Sequence, residues 1–218
     1  MRRPDGITCT VPLTHLLIYK LMALTESLMA ELGSAAPSFE LPVTNPGADD
    51  LNGAIRSLDD YDEADAVVVI FMCNHCPYVK HIEDALVDVA STYQDKGVQF
   101  IGISSNDAEK YPADSFERMT ERAQEKGFPF PYLYDETQEV ARAYGALCTP
   151  DIFVYDGDRR LVYRGRFDET RPKQGNAHGG DLSQALDELL ETGSVSVEQH
   201  PSMGCNIKWK PGKEPEVA

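Results

Sequence analysis

An α/β domain built on a mixed β-sheet is the fold class the sequence predicts, and three features predict it. Two unbroken β-branched and aromatic runs, residues 66–72 and 98–104, read as strands buried on both faces. The segment between them repeats apolar residues at helical spacing, and this crossover is long enough for parallel pairing. Further on, Asp156-Gly157-Asp158 divides two apolar stretches as a hairpin turn and adds antiparallel strands.

Taken in order, residues 36–42 read as a short edge strand between prolines, Asn45-Pro46-Gly47 as a turn, and the polar stretch to Asp65 as holding one short helix near Ser57. A helix over 76–95 follows from Val79, Ile82, Leu86, Val89 and Tyr93 on one face, with Lys80, Glu83, Asp84 and Asp88 on the other; Gly97 ends it. Residues 112–126 form a second amphipathic helix, 132–134 a short strand, and 138–144 a helix stopped by Gly145. Strands at 151–155 and 160–167 flank the hairpin turn, a polar loop spans 168–180, and a last helix covers 182–190. Periodicity is lost after Ser194, so the expected organisation is an extension over 1–30, the domain over 31–193 and an irregular tail over 194–218 that packs on it.

The 218 residues suit one domain with a proper core, since 42% are hydrophobic and 9% aromatic. Acidic residues outnumber basic ones 36 to 20, a net charge of −16 that repels phosphate backbones and anionic lipid. Nucleic acid and membrane surfaces are therefore not expected partners. No run of 18 apolar residues exists; the nearest approach, 11–24, is interrupted by His15 and Lys20. Arg2 and Arg3 ahead of it faintly resemble a signal peptide, but Glu26 and Glu31 break the route to a cleavage site, and Met22 offers a better start that leaves 1–21 as an upstream extension. The carboxylates are spread along the chain, as solubility in concentrated salt favours, and the expected location is a salt-rich cytoplasm. Asp59, Asp60, Asp62, Glu63 and Asp65 read as a solvated face.

Five cysteines, at 9, 73, 76, 148 and 205, make no secreted disulfide framework. Cys73-Asn74-His75-Cys76-Pro77 sits where the central strand gives way to the helix, and a helix start supplies unpaired N–H groups and partial positive charge that favour a thiolate. Two cysteines across one helical turn can close a disulfide with little backbone movement. Cys73, nearer the loop, is expected to be the exposed attacking thiolate and Cys76 the resolving thiol; His75 tunes them, and Pro77 suits the first helical turn. A zinc pair is the bland alternative, but the second Cys-x-x-Cys of a zinc ribbon is absent. Cys148 reads as a small core filler and Cys9 as a thiol of the extension. Cys205 stands in a tail whose Trp209, the single tryptophan, would anchor it on the domain; it reads as packing, with a second resolving thiol, or a metal ligand beside His200, as the sharper alternatives.

Cys-x-x-Cys-Pro after the central strand, the long helix, and Thr149-Pro150 opening the penultimate strand together resemble the thioredoxin superfamily. The resemblance implies a thioredoxin-like fold with Pro150 in a cis peptide beside Cys73, and Thr149 offering backbone to an extended substrate. Ala36-Pro37-Ser38-Phe39, Ser104-Ser105-Asn106-Asp107 and Ala143-Tyr144-Gly145 narrow it to the alkyl hydroperoxide reductase/thiol-specific antioxidant branch. Asn74-His75-Cys76-Pro77-Tyr78-Val79, Asp168-Glu169-Thr170-Arg171-Pro172 and Gly204-Cys205-Asn206-Ile207-Lys208-Trp209 resemble a peroxiredoxin-like subgroup that keeps the Cys-x-x-Cys pair, over about residues 31–210. Against true peroxiredoxins, Cys76 falls on the peroxidatic cysteine, Cys73 on a threonine, Val69 on a proline and Pro150 near an arginine. The threonine and arginine that polarise peroxide are thus missing.

The expectation is a cytoplasmic thiol–disulfide oxidoreductase without organic cofactor or metal, exchanging electrons between a protein or small-molecule disulfide and a thiol or thioredoxin-type reductant. A thiol-dependent peroxidase using Cys76 and a metal-binding or metal-delivering module using the pair and a histidine are the alternatives.

Overall fold

A computed structural model describes residues 24–215. The apolar run near the N-terminus, except Leu24, as well as Cys9 and Met22, lies outside them. The elements in chain order are β1 (Leu24–Glu26), β2 (Glu40–Pro42), β3 (Ile55–Ser57), β4 (Ala66–Phe71), α1 (Pro77–Gln94), β5 (Val98–Ser104), α2 (Phe116–Lys126), β6 (Tyr132–Tyr134), α3 (Glu139–Tyr144), β7 (Cys148–Thr149), β8 (Asp151–Asp156), β9 (Leu161–Gly165), α4 (Gly180–Thr192) and β10 (Met203–Asn206). No helix among them is long and apolar enough to cross a membrane.

The main sheet has the order β6-β5-β4-β8-β9. β4 lies at its centre, parallel to β5 and antiparallel to β8, and the hairpin β8–β9 closes one side. Successive side chains of a strand point to opposite faces, so β4 serves two cores at once. Val68 and Ile70 face Val79 and Leu86 of α1, Met119 of α2 and Leu182 of α4. Val67, Val69 and Phe71 face Leu41, Ala141, Tyr144 and Phe153. All six β4 residues are buried, which is why the strand reads as a continuous apolar run rather than an alternating one.

Helix α1 ends where Gly97 turns back with a φ of +83°; a side chain there would meet the Asp65 carboxylate. Its polar face departs from expectation at Glu83, which is buried and accepts from Arg122 Nε at 3.0 Å. A carboxylate that finds a guanidinium on the neighbouring helix can be enclosed, and periodicity within one helix does not reveal that partner. The acidic residues at 59, 60, 62, 63 and 65 are exposed, as expected.

Three further departures bear on the site. The helix expected over 112–126 is a 3₁₀ turn, Pro112–Asp114, and a separate α2 capped by Ser115, whose hydroxyl accepts from the Arg118 N–H; the break turns Asp114 inward. Near Ser57, β3 pairs with β2 ahead of a 3₁₀ turn at Leu58–Tyr61. The tail expected to be irregular contains β10, which lies between β1 and β7 in a small antiparallel sheet. Leu24–Glu26, at the end of the expected N-terminal extension, supplies the outer strand of that sheet. Trp209 is half-buried against the second core.

Candidate active site

Cys73 and Cys76 fall in the turn from β4 to α1, with Cys76 as the N-cap of the helix and Pro77 in its first turn. Facing them is the Thr149–Pro150 peptide, which is cis, as the resemblance implied. Thr149 touches both sulfurs: its Oγ1 lies 3.5 Å from Cys73 Sγ, and its carbonyl accepts from the Cys76 thiol at 3.1 Å. Cys205 on β10 stands directly across from Thr149. The four described cysteines are free thiols.

The expectation of an exposed, ionised Cys73 is corrected. Cys73 is 1% exposed, and burial, followed by the Cys76 sulfur and the Asp114 carboxylate, pushes its thiol well above the ordinary range. Burial also opposes ionisation of Cys76, but donation from the Cys205 and Cys73 thiols and from Thr149 outweighs it and holds this thiol far below its usual value. The Val79 N–H in the first helical turn adds a smaller share, short of a full capping bond. The first negative charge of the pair therefore rests on Cys76, one residue ahead of the helix. The Thr149 carbonyl accepts from Cys76 while that sulfur is still protonated. Cys205 is held protonated, chiefly because it donates to Cys76.

His75 does not face the pair alone. Its Nδ1 lies 2.6 Å from Asp114 Oδ2, and its ring stacks on Tyr111 at 5.4 Å. Asp114 is a candidate site position that the sequence does not announce. Fully buried, it also accepts from the Asn74 N–H and from Asn106 Nδ2, both at 2.8 Å, and so fixes the turn that carries both cysteines. Its one sequence signal was an aspartate immediately before a Ser115 N-cap, inside a segment read as continuous helix.

Among the described residues, two groups could hold a metal ion: Cys73, His75 and Asp114, and separately Asp168, Glu169 and His178. In the first, both carboxylate oxygens of Asp114 already accept from protein donors, which leaves a poor ligand. In the second, Asp168 accepts from Thr170 N–H and hydroxyl and from the His178 and Gly179 N–H groups, a loop-fixing role. His200 and Cys205 belong to neither group of three among the described residues. Cys148 is buried as expected, its thiol donating to the Pro150 carbonyl at 3.5 Å.

A mixed sheet with paired thiols where its central strand enters a long helix, and a cis-proline against them, defines a thioredoxin-fold oxidoreductase. Residues 32–164 match the AhpC/TSA family, and the chain belongs to it. An uncharacterized conserved protein from Geobacillus kaustophilus, known as a crystal structure, is 50% identical with a TM-score of 0.81, over 88% of this chain and 98% of that one. The thiol-disulfide oxidoreductase ResA of Geobacillus thermodenitrificans (strain NG80-2) is 27% identical over 137 residues, 63% of this chain and 70% of ResA. The thioredoxin domain of a thiol-disulfide oxidoreductase from Bacteroides vulgatus shares the fold, with a TM-score of 0.52 at 20% identity over 71% of this chain and 97% of that domain.

Proposed function

We propose that this thioredoxin-fold oxidoreductase exchanges thiols and disulfides through Cys73 and Cys76, with Cys76 as the attacking thiolate and Cys73 as the resolving thiol. One observation carries the assignment: Cys76 is the helix N-cap and faces the Thr149–Pro150 peptide, where neighbouring donors lower its thiol while burial raises that of Cys73. The Cys76 thiolate attacks one sulfur of a substrate disulfide, and the other leaves as a thiolate that takes up a proton. Cys73 then loses its proton, attacks Cys76 Sγ and releases the second substrate thiol, leaving a Cys73–Cys76 disulfide for a dithiol reductant to reopen. In this reading His75 takes the Cys73 proton, supported by its lying within 4.8 Å of Cys73 and by its hydrogen bond to Asp114. Thr149 and Pro150 shape the wall against which the exchange occurs. Protein or small-molecule disulfides are the substrates of this reading, and a reducing cytoplasm is its setting.

A thiolate at Cys76 also suits attack on peroxide, which would give a sulfenic acid that Cys73 condenses to the same disulfide with loss of water. Cys73 and Pro150 stand where polarising groups would be needed, so exchange is the favoured reading. The deciding experiment measures disulfide reduction and peroxide consumption side by side in the wild type and the C76S variant. Disulfide reduction that vanishes with Cys76, and peroxide turnover far slower throughout, supports exchange; rapid peroxide turnover with negligible disulfide reduction overturns it.

A further inference from the structure

The edge of β7 that the resemblance left to an extended substrate is already taken. β10 pairs antiparallel with β7, Cys205 opposite Thr149 and Asn206 opposite Cys148. The approach is close enough that a Cβ on Gly204 would lie 2.0 Å from the Thr149 carbonyl oxygen. Residues directly opposite in an antiparallel ladder project from the same face. Thr149 turns its hydroxyl toward Cys73, so Cys205 points to that face as well, while its neighbour in sequence on β7, Cys148, projects from the other. Cys205 packs in one apolar cluster with Cys73 and Cys76, near enough to Cys76 for the two thiols to influence each other's ionisation. All three cysteines are buried, and Cys205 is the least enclosed of them as a residue, 6% exposed against 1% for Cys73 and none for Cys76.

We propose that Cys205 is a third redox thiol, which carries the Cys73–Cys76 disulfide outward into a Cys76–Cys205 disulfide that an external dithiol can reach. The step rests on the exchange reading above and is an isomerisation without net electron transfer. The Cys205 thiol gives up its proton and its sulfur attacks Cys76 Sγ. The Cys73–Cys76 bond breaks, and Cys73 leaves as a thiolate and is protonated. A dithiol reductant then attacks Cys205, supplies two electrons and is itself oxidised to a disulfide, restoring three protein thiols. β10 thus occupies the place of a substrate strand and presents its own cysteine there.

The test uses the full chain exposed to oxidised glutathione, alkylated and mapped as non-reduced peptides. The wild type is expected to give both the Cys73–Cys76 and the Cys76–Cys205 linkages, and the folded C73S variant the Cys76–Cys205 linkage alone. A C205S variant is expected to close the Cys73–Cys76 bond yet lose it to dithiothreitol more slowly than the wild type. Cys205 fully alkylated in the oxidised wild type and in C73S, with Cys76 carrying glutathione in the latter, overturns the proposal and leaves exchange through the pair standing. A wild type that forms no intramolecular disulfide overturns both.

Discussion

Cys205 stands opposite Thr149 in the β10–β7 ladder, so the residue ahead of the cis-proline already has a strand partner from its own chain. This relationship accounts for the enclosure of both motif cysteines and gives Cys76 one of the donors that hold its charge. It also requires substrates to displace or bypass β10.

The division of labour between the sulfurs predicts distinct titrations. In C73S, whose serine hydroxyl can still donate to Cys76, alkylation of Cys76 should have a nearly flat pH dependence from about pH 6 to about pH 9, because the thiolate is already formed. In C76S the buried Cys73 should react sluggishly, at a rate rising about tenfold with each pH unit across the same range. Iodoacetamide kinetics followed by mass spectrometry reads both. The double variant C73S/C205S should accumulate a mixed disulfide on Cys76, since both sulfurs able to resolve it are gone.

Asp114 acts on the pair through the turn. Replacing it with alanine strands the Asn74 N–H and the Asn106 amide, and a buried donor left unpaired costs about 1–3 kcal/mol. Asp114→Asn is the gentler change: it keeps the shape and removes the negative charge that raises Cys73, while its NH2 turns one accepting position into a donor. The second thiolate to form, followed by ultraviolet absorbance, should then appear at lower pH than in the wild type, while Cys76 is little altered. An unchanged second step would show that burial and the Cys76 sulfur govern Cys73 without Asp114.

Much of this arrangement was legible in the residues. The two buried runs, the helix between them and the hairpin turn specified the main sheet because each is a local pattern, and Cys-x-x-Cys-Pro announced the reactive turn. Exposure was not legible. Cys73 lies nearer the loop in sequence, but β7 and β10 close over it from 76 and more than 100 residues away, and no local period encodes that. β10 itself, a four-residue strand of Met203, Gly204, Cys205 and Asn206 with no β-branched or aromatic residue, gains its conformation from β1 and β7 rather than from any alternation of its own. Asp114 was hidden by a helical pattern that continues through a capping break.

Stability should carry the mark of Asp151, directly after the cis-proline. It is fully buried, its Oδ1 has no hydrogen-bond partner, and its Oδ2 receives Arg164 Nη2 at 3.3 Å. Burial pushes its carboxyl up from the ordinary 3.8 to about 6 despite that guanidinium. A group that binds its proton more tightly when folded stabilises the fold while protonated, so its contribution falls as the pH rises from about 4 to about 6 and is constant above that. The change is on the order of 3 kcal/mol. Chemical denaturation across this window should show the decline in the wild type and a flatter profile in Asp151→Asn, which cannot ionise; parallel profiles would dissociate Asp151 from it.

Gly204 offers the most direct probe of the strand that covers the site. Its backbone lies so close to β7 that an added methyl group meets the Thr149 carbonyl at 2.0 Å and the carbonyl carbon at 2.6 Å, and the backbone of a paired strand cannot swing aside as a flexible side chain would. Gly204→Ala should therefore loosen β10 from β7 at a cost of about 1–3 kcal/mol, the range for overpacking a closed site. Two readouts should move in opposite directions. Cys76, no longer screened, should be alkylated faster, while the Cys76–Cys205 disulfide should form in smaller yield because the two sulfurs are held together less often. Hydrogen exchange at residues 203–206 should rise in parallel. Should Cys76 become no more reactive when that exchange rises, entry to the sulfur must run on the α1 side, past His75 and Tyr111, and not beneath β10.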